Sequence, residues 1–384
     1  MTSFVPAAAS QAAQPQQSFA TLLFTAARAR CRPEHLQRLA QAWDNLPDWQ
    51  GLAEYAEEQG LAPLFYHHAR EAGLDLPAAL RLQLQGLALR HRLANQQLAA
   101  QLSAILPACQ AAGIDVLLLK GAALFCLVYP DPSLRPMRDL DLLTRPEQAR
   151  QLHSLLQELG FHPDQGNELP SLHHLPSLRK PAGDLLVSVE VHYNLFDATW
   201  RAHPPRIHEW IDRARPFDFN GQAARTLGLE DMLWHIYQHA INGSLRLVSL
   251  ADLVSASEYF AEQIDWGMVR RSYPALLRAL ALIHAHSPLD DRLLQCAGID
   301  ATARQIPLGA GPQGWPSRSL AEGRAMGLGR YLRATFQPSD WWLSLYYGIK
   351  NGRTIPLYRW VIHPFEILRI AGIRLSLRLQ GLKR

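Results

Sequence analysis

Apolar positions in the N-terminal part of the chain recur at helical spacing. Phe19, Leu22, Leu23 and Ala26 fall on one helix face, as do Leu52, Tyr55 and Ala56, then Leu64 and Phe65 after Pro63. Residues 77–108, rich in Ala, Leu, Gln and Arg with few breakers, predict one long helix. The period changes after Gly113. Residues 114–119 are almost continuously apolar, which predicts a strand covered on both faces. Lys120-Gly121 turns the chain into a predicted helix over 122–128, and residues 130–136 read as a turn-rich loop. Leu140, Leu142 and Leu143 predict a second strand, followed by a Thr144-x-x-Glu147 capping box with Pro146 in its first turn. Ala149, Leu152, Leu155, Leu156 and Leu159 continue as a helix that Gly160 stops. Residues 161–184 are mixed and predict a hairpin-like excursion with a strand near 176–180. Val187, Val189 and Val191 then alternate with Ser188, Glu190 and His192, the period of a strand with two unlike faces. From Leu229 helical spacing returns through Met232, Leu233, Ile236 and Ala240, with further helices over 245–260 and 266–284.

Helices, a short run of strands, and helices again describe an α+β chain. The pattern divides it into a disordered tail (1–18), a helical region (19–112), a strand-bearing core (113–220), a second helical region (221–300), a Gly- and Pro-rich linker (301–340) and a basic aromatic C-terminal segment (341–384). With 384 residues and 48% hydrophobic composition, the chain has ample material for more than one core. A net charge of +4 suits an anionic ligand but does not argue for nucleic acid. The four cysteines are scattered with no paired spacing, which excludes a zinc ribbon and a disulfide framework as readings. Residues 1–17 lack the basic start and apolar core of a signal peptide, and no apolar run is long enough to span a bilayer. The expectation is a cytoplasmic protein, with the C-terminal segment a candidate for peripheral contact with the inner face of the membrane.

Against this background two charges are misplaced. Asp139 and Asp141 lie one residue apart on an otherwise apolar strand, so both project to one face. Glu190 supplies a third carboxylate in phase on another strand. Three carboxylates on neighbouring strands suit divalent metal ions, Mg²⁺ above all. The strand–glycine–helix corner at Lys120, Gly121 and Ala122 can seat phosphate at the helix start, with Arg135 and Arg138 close in sequence. The bland reading, two strands with polar outer faces, is the weaker one once these features are combined. His235 and His239 have the i, i+4 spacing of metal ligands, with Asp252 or His192 as a third; packing histidines are the stronger reading, since no H-E-x-x-H is formed. Solvated helix faces likewise account for His67-His68 and for Arg90-His91-Arg92. No nucleophile elbow or P-loop is present.

Gly121-Ala122, Asp139-Leu140-Asp141 and Glu190 within Val189-Glu190-Val191 resemble the nucleotidyltransferase superfamily of DNA polymerase β. Leu119-Lys120-Gly121, Tyr129-Pro130, Arg135, Arg138-Asp139-Leu140-Asp141-Leu142-Leu143 and Val189-Glu190-Val191-His192 extend the match. More narrowly, they are similar to its uncharacterised bacterial nucleotidyltransferases, often associated with exopolysaccharide gene clusters. Leu229-Glu230-Asp231, His239 and Asp252-Leu253 are similar to that family's helical region. The resemblance implies a polymerase β-like core with a small mixed sheet between N- and C-terminal helical regions. It also implies two Mg²⁺ ions on Asp139, Asp141 and Glu190, and transfer of a nucleoside monophosphate from an NTP such as ATP to a hydroxyl or phosphate acceptor. Two features depart from the wider superfamily: Ala122 replaces the usual Gly or Ser, and the interval from Gly121 to Asp139 is long. The alternative they motivate is a catalytically silent nucleotide-binding or scaffold protein of a polysaccharide assembly system.

Overall fold

The computed structural model describes residues 13–163, 173–183, 185–196, 207–242, 246–300, 327–349 and 351–381. They fall into two compact units, one of Met1–Gln85 with Tyr237–Arg384 and one of Gly86–Ile236. Much of the expected tail and of the expected linker (1–12 and 301–326) lies outside the described residues.

The first unit opens with α1 (Ala13–Thr25), α2 (Pro33–Asp44), α3 (Leu52–Glu58) and α4 (Ala62–Glu71). Of the residues that set the helical period, Phe19, Leu22, Leu23, Ala26, Leu52, Ala56, Leu64 and Phe65 are buried and Tyr55 is half-buried. His35 in α2 is buried in one tautomer: its Nδ1 accepts from the Arg32 N–H (3.1 Å) and its Nε2 donates to the Pro288 carbonyl (2.9 Å). Desolvation and the neighbouring Arg28 push its pKa down to about 4. The long helix, α5 (Ala78–Ala111), carries Pro107 inside it and continues into the second unit from Gly86.

The second unit contains β1 (Val116–Leu118), α6 (Lys120–Leu127), β2 (Asp139–Thr144), α7 (Ala149–Glu158), β3 (His162–Pro163), β4 (Leu178–Ala182), β5 (Leu185–His192), α8 (Ile207–Asp212), β6 (Arg215–Phe219) and β7 (Gln222–Thr226). Five strands form one sheet in the order β1-β2-β5-β4-β3. It is mixed: β2 and β5 run parallel, and the other pairs are antiparallel. Leu140 and Leu142 pair with Val189 and Val191, and all four are buried in the core with Leu102, Ile105, Leu152, Leu156 and Phe161. Each such aliphatic side chain contributes roughly 1.5–3 kcal/mol on burial. A one-residue slip would turn these residues out and the carboxylates in, so core burial sets the register. The expected α+β architecture, with its small mixed sheet and flanking helices, is therefore what the chain adopts.

Two local expectations are corrected. The Thr144–Glu147 capping box does not form. Thr144 is the last, fully buried residue of β2, and its hydroxyl donates to the Asp115 carbonyl (2.7 Å) instead of capping a helix. A 3₁₀ turn (Pro146–Gln148) then leads into α7. The hairpin β6–β7 was not anticipated, although Asn220-Gly221 is a strong short-range hairpin signal. Both residues take positive φ (52° and 81°), as a two-residue hairpin turn demands. The Thr226 hydroxyl ties this hairpin to the Leu118 carbonyl at 2.8 Å.

After the sheet come α9 (Leu229–Asn242), α10 (Leu247–Tyr259), α11 (Trp266–Ser272), α12 (Pro274–His284), α13 (Asp291–Ala297), α14 (Leu328–Phe336) and α15 (Asp340–Tyr347). A π turn (Tyr358–Ile362) then enters α16 (His363–Gly381). No helix among the described residues is long and apolar enough to cross a membrane.

Candidate active site

The parallel register of β2 and β5 places Asp141 directly opposite Glu190. Since Leu140 and Leu142 point into the core, Asp139 and Asp141 share the other face of β2, and Ser188, Glu190 and His192 continue that face on β5. Asp141 is buried at 4% exposure, and one of its oxygens accepts from two side chains. The Lys120 Nζ donates to Asp141 Oδ1 at 3.1 Å, and the His192 Nε2 donates to the same oxygen at 2.8 Å. His192 Nε2 also lies 3.5 Å from Glu190 Oε2, while the buried Ser177 hydroxyl donates to Glu190 Oε1 at 3.4 Å.

The electrostatics follow from packing three acids together. Burial, then the neighbouring Asp141 charge, push the Asp139 carboxyl up to about 6 against the pull of Lys120 and Arg135. Burial works against charge at Lys120 as well, but Asp141, Asp139 and Glu190 together hold its pKa above the ordinary lysine value. At His192 burial is likewise outweighed by its bonds to Asp141 and Glu190, so the imidazole is held above its usual value. Glu190 is desolvated, yet the His192 hydrogen bond helps keep it below the ordinary carboxylate value.

The chain reaches these positions through a corner. Leu119 N–H still pairs with the Asp141 carbonyl (3.0 Å), extending the β1–β2 ladder by one residue. Lys120 then turns with φ of 45°, a left-handed conformation that a side chain adopts at a cost, and α6 begins. Gly121 follows with ordinary φ; its need is for space. A Cβ there would lie 3.0 Å from Arg135 Cζ and 3.1 Å from Met137 Cγ, and it would collide with Arg135 Nη1. Arg135 thus lies across the first turn of α6, donating to the Pro136 carbonyl at 2.8 Å. Its loop is clamped by the buried Asn95 of α5. Asn95 Nδ2 donates to the carbonyls of Pro132 and Arg135, both at 2.8 Å, and its Oδ1 accepts from the Met137 N–H at 3.3 Å.

Lys120, Gly121, Arg135, Asp139, Asp141 and Glu190 are therefore neighbours. Ala122 is buried in the same first turn, where it offers a backbone N–H and no hydroxyl. Arg138, next to Asp139 in the chain, is exposed, with no ion pair among the described residues. His192, a possible third ligand to His235 and His239 by sequence, bonds Asp141 instead. Nothing in the local sequence marked Asn95 or Ser177. The His173 and His174 rings pack on His192, with centroids 5.5 and 5.4 Å away.

The carboxylates and His192 fit a divalent cation. Donor atoms of Asp141, Glu190 and His192 lie within 4.8 Å of one another, and an added positive charge would favour the ionised form of the desolvated Asp139. The same spacing occurs at His67, His68 and Glu71, where only one carboxylate is present and His68 bonds the Arg28 carbonyl (2.8 Å) and Glu71 (2.9 Å). His235 and His239 join no such group among the described residues. His235 is buried against Phe196 and held neutral by desolvation and by the nearby Lys120 and His192, in keeping with the packing reading.

The sequence profile of the family described as "Uncharacterised nucleotidyltransferase" matches residues 45–284, more than half of the chain. The chain belongs to that family. By family it is a nucleotidyltransferase, an enzyme that moves a nucleoside monophosphate. No curated protein matches it. Two solved structures are similar at low level. The antibiotic-resistance factor ANT(2'')-Ia is 16% identical with a TM-score of 0.31, covering 50% of this chain and 99% of its own. An antigenic nucleotidyltransferase-like protein from Paracoccidioides brasiliensis is 17% identical with a TM-score of 0.32, covering 52% and 97%. Likenesses of this size carry no argument about the site.

Proposed function

We propose that this nucleotidyltransferase uses Mg²⁺ to transfer a nucleoside monophosphate from an NTP to a hydroxyl or phosphate acceptor, releasing pyrophosphate. The setting implied by the resemblance is exopolysaccharide biosynthesis on the cytoplasmic side of the membrane. The observation that carries the reading is the pairing of Asp141 with Glu190 beside Asp139, with Lys120 and Arg135 at the adjoining helix start. Asp139, Asp141 and Glu190 would hold the metal ions, which neutralise triphosphate charge when bound. Lys120, Arg135, Arg138 and the first-turn N–H groups of Gly121 and Ala122 would hold the phosphates. Glu190, held in its ionised form, is the carboxylate we assign to receive the acceptor's proton, at Oε2, with His192 Nε2 3.5 Å from that oxygen. The test is transfer of label from α-labelled NTPs with Mg²⁺ across hydroxyl and phosphate acceptors. Asp139→Asn and Asp141→Asn should each abolish it, and unchanged transfer in either variant would remove catalysis from this site.

One observation favours a second reading. Lys120 is spent on Asp141 and Ala122 supplies no hydroxyl, which suits a nucleotide-binding scaffold without turnover. Calorimetry separates the two: tight NTP binding with no transfer to any acceptor supports the scaffold.

A further inference from the structure

The last described helix exposes an apolar row, while its two most buried residues are polar. In α16 the buried residues are polar: His363 is 0% exposed and Glu366 7%. Each has specific inner partners. His363 Nε2 donates to the Thr335 carbonyl (2.9 Å), and its Nδ1 accepts from the Tyr347 hydroxyl (2.9 Å). Glu366 Oε1 accepts from the Tyr346 hydroxyl (2.8 Å), and Arg369 forks onto both its oxygens (2.7 and 2.9 Å). These bonds fix which side faces inward.

The side they leave outward is apolar. Leu357, Trp360, Val361, Phe365, Leu368 and Leu375 are exposed, from 46% at Val361 to 69% at Phe365. Val361, Phe365, Leu368 and Leu375 recur at the three- and four-residue steps of one helix face, opposite His363 and Glu366. A contiguous exposed apolar row of this kind marks a surface that meets something other than water. Charge says what. Residues 351–381 carry Arg353, Arg359, Arg369, Arg374 and Arg378 against the single acid Glu366, which is buried and already bonded. Arg353 and Arg374 have no carboxylate partner among the described residues, and both are exposed. A second copy docked through the same face would bring further arginines and no exposed acid of this segment to the contact. An anionic lipid surface satisfies both features, with apolar residues entering the acyl boundary and arginines meeting headgroups.

We propose that this face docks the chain on an anionic lipid surface, with α16 lying in the plane of the membrane. The docking is independent of the transfer chemistry. The experiment is flotation of the full chain with phosphatidylcholine vesicles, with and without phosphatidylglycerol, at increasing salt. The chain should float with the anionic vesicles only and lose binding as salt rises. Phe365→Ser/Leu368→Ser should abolish flotation, and Arg374→Gln should weaken it about fivefold; circular dichroism checks that both variants remain folded. Absence of flotation with either vesicle, or flotation undiminished in the double variant, overturns the proposal. So does a concentration-dependent dimer that the double variant dissolves, because the face would then belong to a second copy.

Discussion

Gly121→Ala separates space from backbone freedom at the phosphate corner. Gly121 lies inside the first turn of α6 without positive φ, so alanine fits its backbone and gains about 1 kcal/mol of helix propensity. The added methyl collides with the Arg135 guanidinium, the far end of a flexible side chain, which must swing away and lose its bond to the Pro136 carbonyl. That bond is half-buried with a charged donor and contributes about 1–2 kcal/mol. The two effects nearly cancel, so stability should fall by no more than about 1 kcal/mol. Nucleotide binding should not escape. If Arg135 meets phosphate, its displacement removes a charge-assisted contact of about 2 kcal/mol, roughly thirtyfold in NTP affinity. Calorimetric titration with a non-hydrolysable NTP and chemical denaturation measure the two quantities side by side. Arg135→Ala should lose the same affinity, and Gly121→Ala/Arg135→Ala should lose no more than either alone, because both changes act on one guanidinium. Wild-type affinity in Gly121→Ala, or additive losses in the double variant, would refute the reasoning.

Two further outcomes test parts of the molecule away from the carboxylates. Asn95→Ala removes three hydrogen bonds from a buried clamp and should cost about 3 kcal/mol in thermal or chemical unfolding; NTP affinity should fall with it, since the clamped loop carries Arg135, and an unchanged affinity would disconnect the clamp from the site. His35 gives a pH dependence of definite sign. Its folded-state pKa is lowered from 6.5 to about 4, so the unfolded chain binds the proton first and stability is lost as pH falls through that interval. His35→Gln should flatten this part of the stability–pH curve, and a slope identical to that of the unsubstituted chain would assign the acid sensitivity elsewhere.

Much of the candidate site was legible because it depends on local periodicity. A strand shows its two faces in sequence, so Asp139 with Asp141, and Glu190 with Ser188 and His192, could be assigned to common faces before any fold was known. The strand–glycine–helix corner and the helical regions on either side were equally local. Where local signals competed, tertiary context prevailed. Thr144 matched a capping box, yet its hydroxyl serves the Asp115 carbonyl because β2 extends one residue further beside β1. At Asn220-Gly221 the local turn signal and the hairpin agree.

Other features belong to no window of sequence. That Asp141 faces Glu190, and not a residue two positions away, follows from burying Leu140 and Leu142 against Val189 and Val191 on a parallel neighbour. That Lys120 and His192 converge on one oxygen of Asp141 depends on a corner bending back over the sheet. Asn95 meets the Arg135 loop from a helix some forty positions earlier in the chain. The orientation of α16 is of the same kind. Its mix of basic and apolar residues was visible in the sequence, but which side faced inward was decided by hydrogen bonds to Thr335, Tyr346 and Tyr347. Periodicity encodes which side chains share a face. The partner on the other side of that face is set only when distant segments bury their apolar surfaces together.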